Sequence, residues 1–389
     1  MKRILYVATV VRMHIMEFHI PYLKALKEMG WETSVAAKND YEDGKDCSIP
    51  YCDNYYDIPF ERSPMNVRNF KAYRKLKQII EGGGYDVVHC HTPVGAALTR
   101  LAARKARKKG CQVIYTAHGF HFYKGAPLRN WLIYYPVEWI CSWMTDVLIS
   151  INEEDYRRAK KYLHAKKTVY VPGVGIDLEK ISKIRTDRKQ KRKEIGIPEE
   201  AFLLLSVGEL SVRKNHKLVL KALRVLKNEN IYYVICGQGV MEKELRRLAN
   251  KYGLTERVRF LGYRSDVLEL YKAADLFVFP SLQEGLPVAL MEAMACGIPC
   301  IAGDIRGNRD LFGQGKKGYL IPTGQLELWV ESIWYHVRYP KKNQRVVKEN
   351  QERMKLFSVE KTTERVKEIY RNEAGIWEAG KKARNEGKR

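Results

Sequence analysis

The sequence predicts an α/β protein made of two doubly wound domains, each with a parallel sheet between layers of helices. The chain has 389 residues, which suits two domains at about 150 residues each. Short apolar runs alternate with longer helical patterns, as in βαβ units, and the alternation starts again near residue 200. Two such domains are expected to face each other across a cleft, where the carboxyl ends of their strands bind ligands.

The individual elements follow from these runs in chain order. Strands of the first half are predicted at residues 4–8, 32–36, 87–90, 113–116, 146–150 and 168–171. Strands of the second half are predicted at residues 202–207, 232–236, 258–261, 276–280 and 299–302. Helices are predicted at residues 21–29, 69–80 and 217–226, the first closed by a glycine and the last with its apolar residues on one face.

The boundary between the domains is predicted at a run of proline and glycine, Pro172-Gly173-Val174-Gly175. The first domain then covers residues 1–172 and the second covers residues 173–356, with the basic stretch 180–193 as an exposed connector. A C-terminal helix over about 357–380 is expected to pack back on the first domain. Residues 381–389 are highly charged and are expected to form a flexible basic tail.

The charge balance narrows the choice of partners. Lys and Arg number 69 against 45 Asp and Glu, which gives a formal net charge of +24. Such a field attracts nucleic acid, an anionic membrane surface or phosphorylated small molecules. The sequence carries no zinc-finger, helix-turn-helix or aromatic RNA-binding signature, so a nucleic-acid partner is disfavoured. Hydrophobic residues make up 45%, which excludes a disordered or collagen-like chain.

The cysteines and the apolar runs indicate the compartment. The eight cysteines form no CxxC pair, as is typical of free thiols in a reducing environment. His89, Cys90 and His91 are consecutive, and because neighbours on a strand point to opposite faces, this group is not expected to chelate one ion. The N-terminus is too short for a signal peptide, and no apolar run reaches the roughly 20 residues of a membrane span. The chain is expected to be cytosolic or to lie on a membrane without crossing it.

Two common nucleotide-binding loops are missing from the sequence. Residues 9–14, which follow the first predicted strand, contain no glycine, so the GxGxxG turn of dinucleotide-binding proteins is absent. The phosphate-binding loop GxxxxGK[ST] does not occur either. These absences argue against an NAD- or FAD-dependent oxidoreductase and against a P-loop kinase or ATPase.

The strongest local signal is the motif FPSLQEGLPVALMEAMACG at residues 279–297. A strand is predicted to end at its start, and a helix is predicted to begin near Pro287. The N-terminus of such a helix presents unpaired N–H groups to a diphosphate, and Gly285 leaves the approach open. Glu284 and Glu292 are expected near the cleft, although each taken singly is equally typical of a surface acid.

This motif resembles the signature of the family 4 retaining glycosyltransferases of the GT-B fold, in which seven residues separate two glutamates. The resemblance covers most of the chain and implies two Rossmann-like domains, the first for the acceptor and the second for the nucleotide-sugar donor. It implies that Glu284 contacts hydroxyls of the transferred sugar and that Glu292 binds the ribose. The backbone around Gly285, Leu286 and Pro287 would line the donor diphosphate site.

Residues 206–215 resemble the segment with which the family supplies cations to the donor diphosphate. The resemblance makes Arg213 and Lys214 candidates, with Lys214 preferred, since a lysine there stabilises negative charge on the leaving phosphate. The alternative is that both are solvated loop cations. The sequence departs from the family at Glu209, where many members carry an arginine.

Two further segments of the second half are similar to the family. Residues 236–239, CGQG, resemble its glycine pair, although a plain structural turn explains them equally well. Residues 260–264 resemble the segment beside the nucleobase, which implies that Tyr263 and Arg264 lie near the base.

In the first half, two histidines follow the fourth predicted strand. The resemblance implies a histidine close to the transferred sugar, and His118 matches that place better than His121. A neutral imidazole there can hydrogen-bond a sugar hydroxyl, whereas the alternative is a packing histidine. The first loop lacks the family's pair of glycines, and His14, Phe18 and His121 are expected on the acceptor side. This variant loop is similar to that of a subgroup associated with bacterial capsule and exopolysaccharide assembly.

No metal and no cofactor are predicted, since the nucleotide-sugar is a substrate. The other large glycosyltransferase fold grips a divalent ion with an Asp-any-Asp triplet, which does not occur in this sequence. The helix N-terminus, Lys214 and Arg213 are expected to replace the ion.

Residues 130–143 form an unusually aromatic segment. A buried helix of the first domain accounts for about half of its face, and the remainder suits a membrane interface beside a basic run. The basic run consists of Arg100, Arg104, Lys105, Arg107, Lys108 and Lys109. The protein is therefore expected to be cytoplasmic and peripheral on the inner face of the plasma membrane, where it meets lipid-diphosphate-linked acceptors and an anionic surface.

Together, the residues and the resemblance predict a metal-independent retaining glycosyltransferase. It would move a sugar from a nucleoside diphosphate, UDP in the first instance, to a hydroxyl of a lipid-linked or growing glycan. The leaving diphosphate would deprotonate the incoming hydroxyl, while His118 and Glu284 position the sugar. Two alternatives stay open: a UDP-sugar 2-epimerase of the same fold, and a basic membrane- or nucleic-acid-binding protein. The sugar, the acceptor and the linkage are not encoded in these motifs.

Overall fold

The computed structural model describes residues 1–41, 47–61, 63–227, 230–313 and 319–386, with side chains up to residue 372. The chain forms two compact units. The first contains Met1–Gly175 and the helix that begins at Val359, and the second contains Ile176–Ser358. The division between the units lies three residues after the predicted boundary at 172/173.

The first unit is built on a parallel sheet of seven strands. These are β1 (Arg3–Val10), β2 (Glu32–Lys38), β3 (Asn54–Asp57), β4 (Val87–His91), β5 (Gln112–Ala117), β6 (Val147–Ser150) and β7 (Lys167–Tyr170). Their order is β3-β2-β1-β4-β5-β6-β7, so the direction of winding reverses between β1 and β4. The central strands are buried on both faces, which is why they read as continuous apolar runs rather than alternating ones.

Helices cover both faces of this sheet. They are α1 (Ile20–Glu28), α2 (Arg68–Gly82), α3 (Pro93–Ala102), α4 (Arg104–Lys108), α5 (Leu128–Ser142) and α6 (Glu153–Tyr162). A π-helical turn (Val11–Met16) joins β1 to the segment before α1. The first helix ends before Gly30, whose φ of +76° is the left-handed conformation that favours glycine.

The second unit has a parallel sheet of six strands. These are β8 (Phe202–Val207), β9 (Ile231–Cys236), β10 (Val258–Gly262), β11 (Leu276–Phe279), β12 (Cys300–Gly303) and β13 (Leu320–Ile321). Their order is β10-β9-β8-β11-β12-β13, and the winding reverses between β8 and β11. Two parallel, doubly wound sheets confirm the predicted fold class.

The helices of the second unit follow the same alternation. They are α7 (Leu178–Lys183), α8 (Arg188–Glu194), α9 (His216–Leu226), α10 (Glu242–Lys251), α11 (Val267–Ala273), α12 (Val288–Ala295), α13 (Arg306–Phe312), α14 (Leu326–Arg338) and α15 (Gln344–Met354). Short 3₁₀ turns occur at Val212–Lys214, Pro340–Asn343 and Lys355–Phe357. Within the described part of the chain, no helix is both long enough and apolar enough to cross a bilayer.

The C-terminal helix α16 (Val359–Glu386) belongs to the first unit, where Val366, Ile369 and Tyr370 enter the apolar core. Residues 381–386, the start of the predicted tail, continue this helix. Lysine, arginine, alanine and glutamate dominate this stretch and have high helix propensity. The remaining tail, residues 387–389, lies outside the described residues.

Most of the basic stretch 180–193 is exposed, as its composition predicted, but it forms helices and part of it is buried. It contributes α7 and α8, and Arg192 is buried with its guanidinium donating to Ala273 O at 3.0 Å and to Ala201 O at 2.8 Å. The Lys191 ammonium contacts the carboxylate of Asp266 at 2.9 Å. Acids and carbonyls of the neighbouring elements therefore hold charges that the local sequence presents as solvated.

Candidate functional site

The predicted donor residues lie at the point where the second sheet reverses its winding. The loops that follow β8 and β11 both leave from the carboxyl ends of neighbouring strands, which is where open α/β sheets bind ligands. Backbone and side-chain hydrogen bonds join the two loops. The N–H of Leu282 donates to Arg213 O at 2.8 Å, and Asn215 Nδ2 donates to Pro280 O at 3.2 Å.

At this point Glu284 forms ion pairs with both predicted cations. Its carboxylate lies 2.9 Å from Lys214 Nζ and 2.9 Å from Arg213 NH1. Glu284 is 8% exposed and Lys214 is 9% exposed, whereas Arg213 is largely exposed. The structure thus brings together three of the residues that the sequence predicted, and we call them the donor triad.

Burial opposes the ionisation of Glu284, but the Lys214 ammonium and the Arg213 guanidinium lower the pKa of its carboxyl below the ordinary value. Glu284 is therefore an anion at neutral pH. The triad carries one net positive charge, which suits an arriving anion.

Lys214 is held by an aromatic ring and by a glycine. Its Nζ lies 4.6 Å from the centre of the Phe279 ring. Gly208 directly follows β8 with a φ of +147°, and a Cβ at this residue would lie 3.0 Å from Lys214 Cε. A side chain at residue 208 would displace the lysine, so Gly208 is required where it stands. Glu209, the residue that departs from the family pattern, is exposed and lies 3.9 Å from Arg213.

The glycine pair of residues 236–239 packs against the loop after β8. A Cβ on Gly237 would lie 1.9 Å from Gly208 O, and a Cβ on Gly239 would lie 2.4 Å from Leu210 O. Both clashes are with backbone, which cannot move aside. These glycines therefore allow two backbones to touch beside the donor triad.

Sequence reasoning missed Arg306, which follows β12. This residue is buried, and its Nε donates to Glu284 O at 3.0 Å. The neighbouring Gly307 lies against the same loop, since a Cβ there would be 2.1 Å from Gly285 O. The only sequence signal for Arg306 and Gly307 is that they follow a predicted strand. Many residues without a functional role also follow strands.

The helix predicted near Pro287 is α12, which begins at Val288 after Pro287 in an extended conformation. Among the described residues, no side chain caps its N-terminus, so the first N–H groups of the helix lack a side-chain partner. Leu286 is nearly buried beside this end. Glu292 lies half-buried on the helix, where the buried Tyr271 hydroxyl donates to its Oε2 at 3.5 Å.

The two predicted nucleobase residues have different surroundings. Tyr263 is 70% exposed. The Arg264 guanidinium makes ion pairs with Asp266 at 2.5 Å and with Glu194 at 2.6 Å. Hydrogen bonds from Arg264 hold the pKa of the Asp266 carboxyl well below its ordinary value. This guanidinium is therefore engaged with acids of its own unit.

The first unit gathers its predicted site residues at its own reversal point, between β1 and β4. His14 lies in the turn after β1, and His118 follows β5. Their ring centres are 4.9 Å apart. Two histidines that were not predicted lie among them: His19, whose ring centre is 4.0 Å from that of His91, and His91 at the end of β4. We call these four residues the histidine cluster.

Burial determines the charge of this cluster. It lowers the pKa of His14, His19 and His91 well below the ordinary histidine value, and it lowers that of His118 to about 4. All four imidazoles are therefore neutral at physiological pH. A neutral His118 has the form that hydrogen bonding to a sugar hydroxyl requires.

The expected acceptor residues meet beside this cluster. His14 and His121 both line a cavity of about 300 Å³, together with Tyr134. The His121 ring stacks on the Tyr134 ring at 4.3 Å, and the Phe18 ring meets the His14 ring edge-on at 5.6 Å. His14, His121 and Tyr134 thus share one concave surface of the first unit, and its role in acceptor binding stays a prediction.

Two family profiles match the chain. Residues 187–353 match the family described as "Glycosyl transferases group 1". Residues 3–152 match the family described as "Glycosyl transferase 4-like". Each match falls within one of the two compact units.

Characterised and named relatives cover much of the chain. The putative glycosyltransferase EpsD of Bacillus subtilis (strain 168) is 41% identical over 373 residues, which is 95% of this chain and 96% of the relative. An Escherichia coli relative, UDP-Gal:alpha-D-GlcNAc-diphosphoundecaprenol alpha-1,3-galactosyltransferase, is 31% identical over 69% of this chain and 70% of its own length.

Solved structures confirm the GT-B fold. HepE of Anabaena, in complex with UDP and glucose, superposes with a TM-score of 0.78 at 18% identity and covers 96% of this chain and 100% of its own. Sucrose-phosphate synthase from Thermosynechococcus elongatus gives a TM-score of 0.77 at 18% identity, over 97% and 100% of the two chains. At this identity the likeness concerns the fold alone.

Proposed function

The chain belongs to the family 4 glycosyltransferases of the GT-B fold, and from this premise we propose the reaction that it catalyses. It transfers a sugar, with retained anomeric configuration, from a nucleoside diphosphate, UDP in the first instance, to a glycan hydroxyl. The acceptor is a lipid-linked or growing glycan of a cell-surface exopolysaccharide. A relative named for a diphosphoundecaprenol-linked substrate supports a lipid-linked acceptor, and a neighbour solved with UDP supports the donor.

The donor triad is the observation that carries the proposal. The Glu284 carboxylate pairs with both Lys214 and Arg213 at 2.9 Å each and offsets one of their two positive charges. A donor diphosphate competes for the same cations, because its oxygens are also acceptors for charge-assisted hydrogen bonds. As the cations turn to the diphosphate, the Glu284 carboxylate becomes available to accept hydrogen bonds from the sugar. No divalent ion is required at the diphosphate in this scheme.

During transfer, the bond between the sugar and the diphosphate breaks and negative charge develops on the leaving oxygen. Lys214 and the uncapped N-terminus of α12 stabilise that charge. The leaving diphosphate takes the proton of the incoming hydroxyl, which attacks from the same face of the sugar. His118 is the neutral hydrogen-bonding partner of the sugar in this proposal.

The proposal is tested by incubating the purified chain with labelled UDP-sugars and a polyprenyl-diphosphate-linked sugar. Transfer to the acceptor, or slow hydrolysis of one donor in its absence, is the expected result. Formation of a 2-epimer would instead establish an epimerase of the same fold. Absence of turnover with every nucleotide-sugar would leave a binding protein and overturn the proposal.

Replacing Glu292 with alanine is expected to raise the Kd for UDP about 10- to 100-fold, because a hydrogen bond to a charged group contributes about 1.5–3 kcal/mol. Isothermal titration with UDP measures the change. Glu292→Gln keeps an acceptor for the Tyr271 hydroxyl and therefore separates loss of ribose binding from loss of that internal contact. Glu256→Ala, at an exposed position of the same unit, is the matched control. Unchanged UDP affinity in Glu292→Ala would refute the ribose role.

We also propose that the first unit docks on an anionic membrane through α5 and α4. Seven apolar side chains on and beside α5 are exposed: Leu128, Leu132, Ile133, Val137, Trp139, Ile140 and Trp143. Arg107 NH1 donates to Trp143 O at 3.0 Å, which fixes the basic helix α4 beside the end of α5. An apolar face next to exposed lysines and arginines is the pattern of an interfacial helix.

The structure corrects one member of the predicted basic run. Arg100 is fully buried and pairs with Glu138 at 2.8 Å, so it does not reach a membrane. Arg107 is half-buried and pairs with Asp146 at 2.9 Å, so the exposed members are Arg104, Lys105, Lys108 and Lys109.

Reversing these four charges to glutamate is expected to abolish binding to vesicles of phosphatidylglycerol and phosphatidylcholine at low salt, since each basic residue contributes about 1 kcal/mol near such a surface. Vesicle co-sedimentation measures the bound fraction. The matched control reverses four exposed lysines of the second unit, Lys243, Lys251, Lys341 and Lys348. Equal loss of binding in both variants would mean that net charge alone, rather than this surface, attracts the protein.

A further inference from the structure

The histidine cluster leaves ring nitrogens without partners inside the first unit. Neither ring nitrogen of His19 has a hydrogen-bond partner among the described residues, nor do His14 Nε2 and His91 Nε2. His19 and His91 are buried in full, and burial of a polar nitrogen without a hydrogen-bond partner is unfavourable. Four such atoms in one place are an anomaly, because buried polar groups are nearly always paired.

The positions of the nitrogens fit a common ligand. One ring nitrogen from each of His14, His19, His91 and His118 can be chosen so that all four lie within 4.8 Å of one another. His91 Nδ1 and His118 Nε2 are 3.3 Å apart. Two nitrogens at about 2.0–2.1 Å from one tetrahedral zinc ion are separated by about 3.3–3.4 Å, so this pair has that spacing. A zinc ion bound by these two nitrogens would replace the hydrogen bond between the two rings and would leave His91 Nε2 without a partner among the described residues.

His89, a neighbouring buried histidine, has hydrogen-bond partners for both of its ring nitrogens. His89 lies two residues before His91 on β4, and the two rings are 4.3 Å apart on the same face of the strand. Both nitrogens of His89 are engaged, Nδ1 with the Tyr370 hydroxyl at 2.6 Å and Nε2 with Thr116 Oγ1 at 2.8 Å. The expectation that consecutive residues 89–91 cannot share an ion concerns adjacent residues and leaves His91 free to join histidines from other elements.

We propose that the histidine cluster binds one divalent transition-metal ion of the Zn²⁺ class, with His14, His19, His91 and His118 as its four ligands. Neutral imidazole nitrogens suit Zn²⁺, Cu²⁺ and Ni²⁺, whereas Mg²⁺ and Ca²⁺ require oxygen ligands that this cluster does not supply within the described residues. The ion would fix the ring of His118 and tie the turn after β1 to the ends of β4 and β5.

This ion is separate from the donor diphosphate. The prediction of no metal rested on the missing Asp-any-Asp triplet, which concerns an ion at the diphosphate. The histidine cluster lies in the first unit and the donor triad in the second. Because His118 has a part in both proposals, metal binding is tested by metal content and metal affinity rather than by sugar transfer.

The test measures metal content in protein freed of any affinity tag and of chelators. After incubation with ZnCl₂ and gel filtration, inductively coupled plasma mass spectrometry is expected to find about one zinc ion per chain. Cobalt loading is expected to give the intense visible bands of tetrahedral Co²⁺. Zinc is expected to raise the Tm of the protein, while MgCl₂ has no effect. Zinc at background level, or an octahedral cobalt spectrum, would overturn the proposal and leave ordered water as the partner of these nitrogens.

The ligand variant is His19→Gln, which removes a cluster member that has no assigned part in the transfer reaction. It is expected to lower zinc affinity by about tenfold or more, measured by competition with a chromophoric chelator. His216→Gln is the matched control, because His216 is also buried with an unpartnered Nε2 among the described residues but lies in the second unit. Urea unfolding without zinc, followed by hydrogen exchange in peptides of β1, β4 and β5, shows whether His19→Gln keeps the first unit folded. Wild-type zinc affinity in His19→Gln contradicts the proposal.

Discussion

Replacing Lys214 with methionine is expected to lower kcat for sugar transfer by about 10²–10³-fold, the usual effect of removing one preorganised group that stabilises charge in a transition state. The structure gives Lys214 the properties of such a group. It is nearly buried, it lies over the Phe279 ring, and its only close ion pair in the described structure is with Glu284 at 2.9 Å. A buried ammonium loses little energy to reorganisation when the leaving phosphate becomes charged.

The effect should fall on kcat more than on KM, because negative charge on the leaving oxygen is greatest in the transition state. Initial rates over a range of donor concentrations separate the two parameters. Lys217→Met is the control, since Lys217 is exposed on α9 and pairs at 3.4 Å with Glu244. Arg213→Met should have a smaller effect, because Arg213 is exposed and its charge is screened by water. If Lys214→Met retained the wild-type kcat, Lys214 would have no part in leaving-group stabilisation.

The donor site could be predicted because its signals are local in sequence. Strand end, glycine, glutamate and helix start follow one another within residues 279–288, and the cations of residues 213–214 follow another strand end. Residues that directly follow a parallel strand lie at the carboxyl edge of the sheet, and this holds independently of the order of the strands. The strand order then sets β8 beside β11, which no local signal in the sequence predicts.

The histidine cluster could not be predicted in the same way. Its members come from the turn after β1, the segment before α1, and the ends of β4 and β5, and only the folded sheet brings them together. A weak signal existed, because His89 and His91 are two residues apart and therefore share a face of their strand. No local rule says which of the two meets other histidines and which is already satisfied by Tyr370 and Thr116.

The predictions from sequence were also wrong about the burial of two charged side chains. Arg100 and Arg192 lie in basic stretches that composition assigns to solvent, yet both side chains are buried. Their partners, Glu138 and Asp275, are 38 and 83 residues away in sequence. A charge is buried only where a distant element supplies its counterion, and charge patterning along the chain carries no information on that pairing.

Replacing Arg100 with methionine is expected to destabilise the first unit by about 3–5 kcal/mol, because it leaves the Glu138 carboxylate buried without its counterion. Arg100 NH1 donates to Glu138 Oε2 at 2.8 Å, and its guanidinium lies 4.2 Å from the centre of the Tyr115 ring. The Tyr115 hydroxyl donates to the other oxygen, Glu138 Oε1, at 3.1 Å. Urea unfolding measures the loss, and hydrogen exchange locates it in peptides of α3, β5 and α5 rather than in the second unit.

Removing the whole network should cost far less than removing one member. In the triple variant Arg100→Met, Glu138→Leu, Tyr115→Phe, no charge or hydroxyl of the network is left unpaired, and apolar groups of similar volume fill the space. We expect its stability to lie within about 1 kcal/mol of the wild type or above it. The stability of the double variant Arg100→Met, Glu138→Leu should lie between those of Arg100→Met and the triple variant, since the Tyr115 hydroxyl then lacks its acceptor. Additive losses along this series would mean that packing, rather than the buried charge, makes Arg100 necessary.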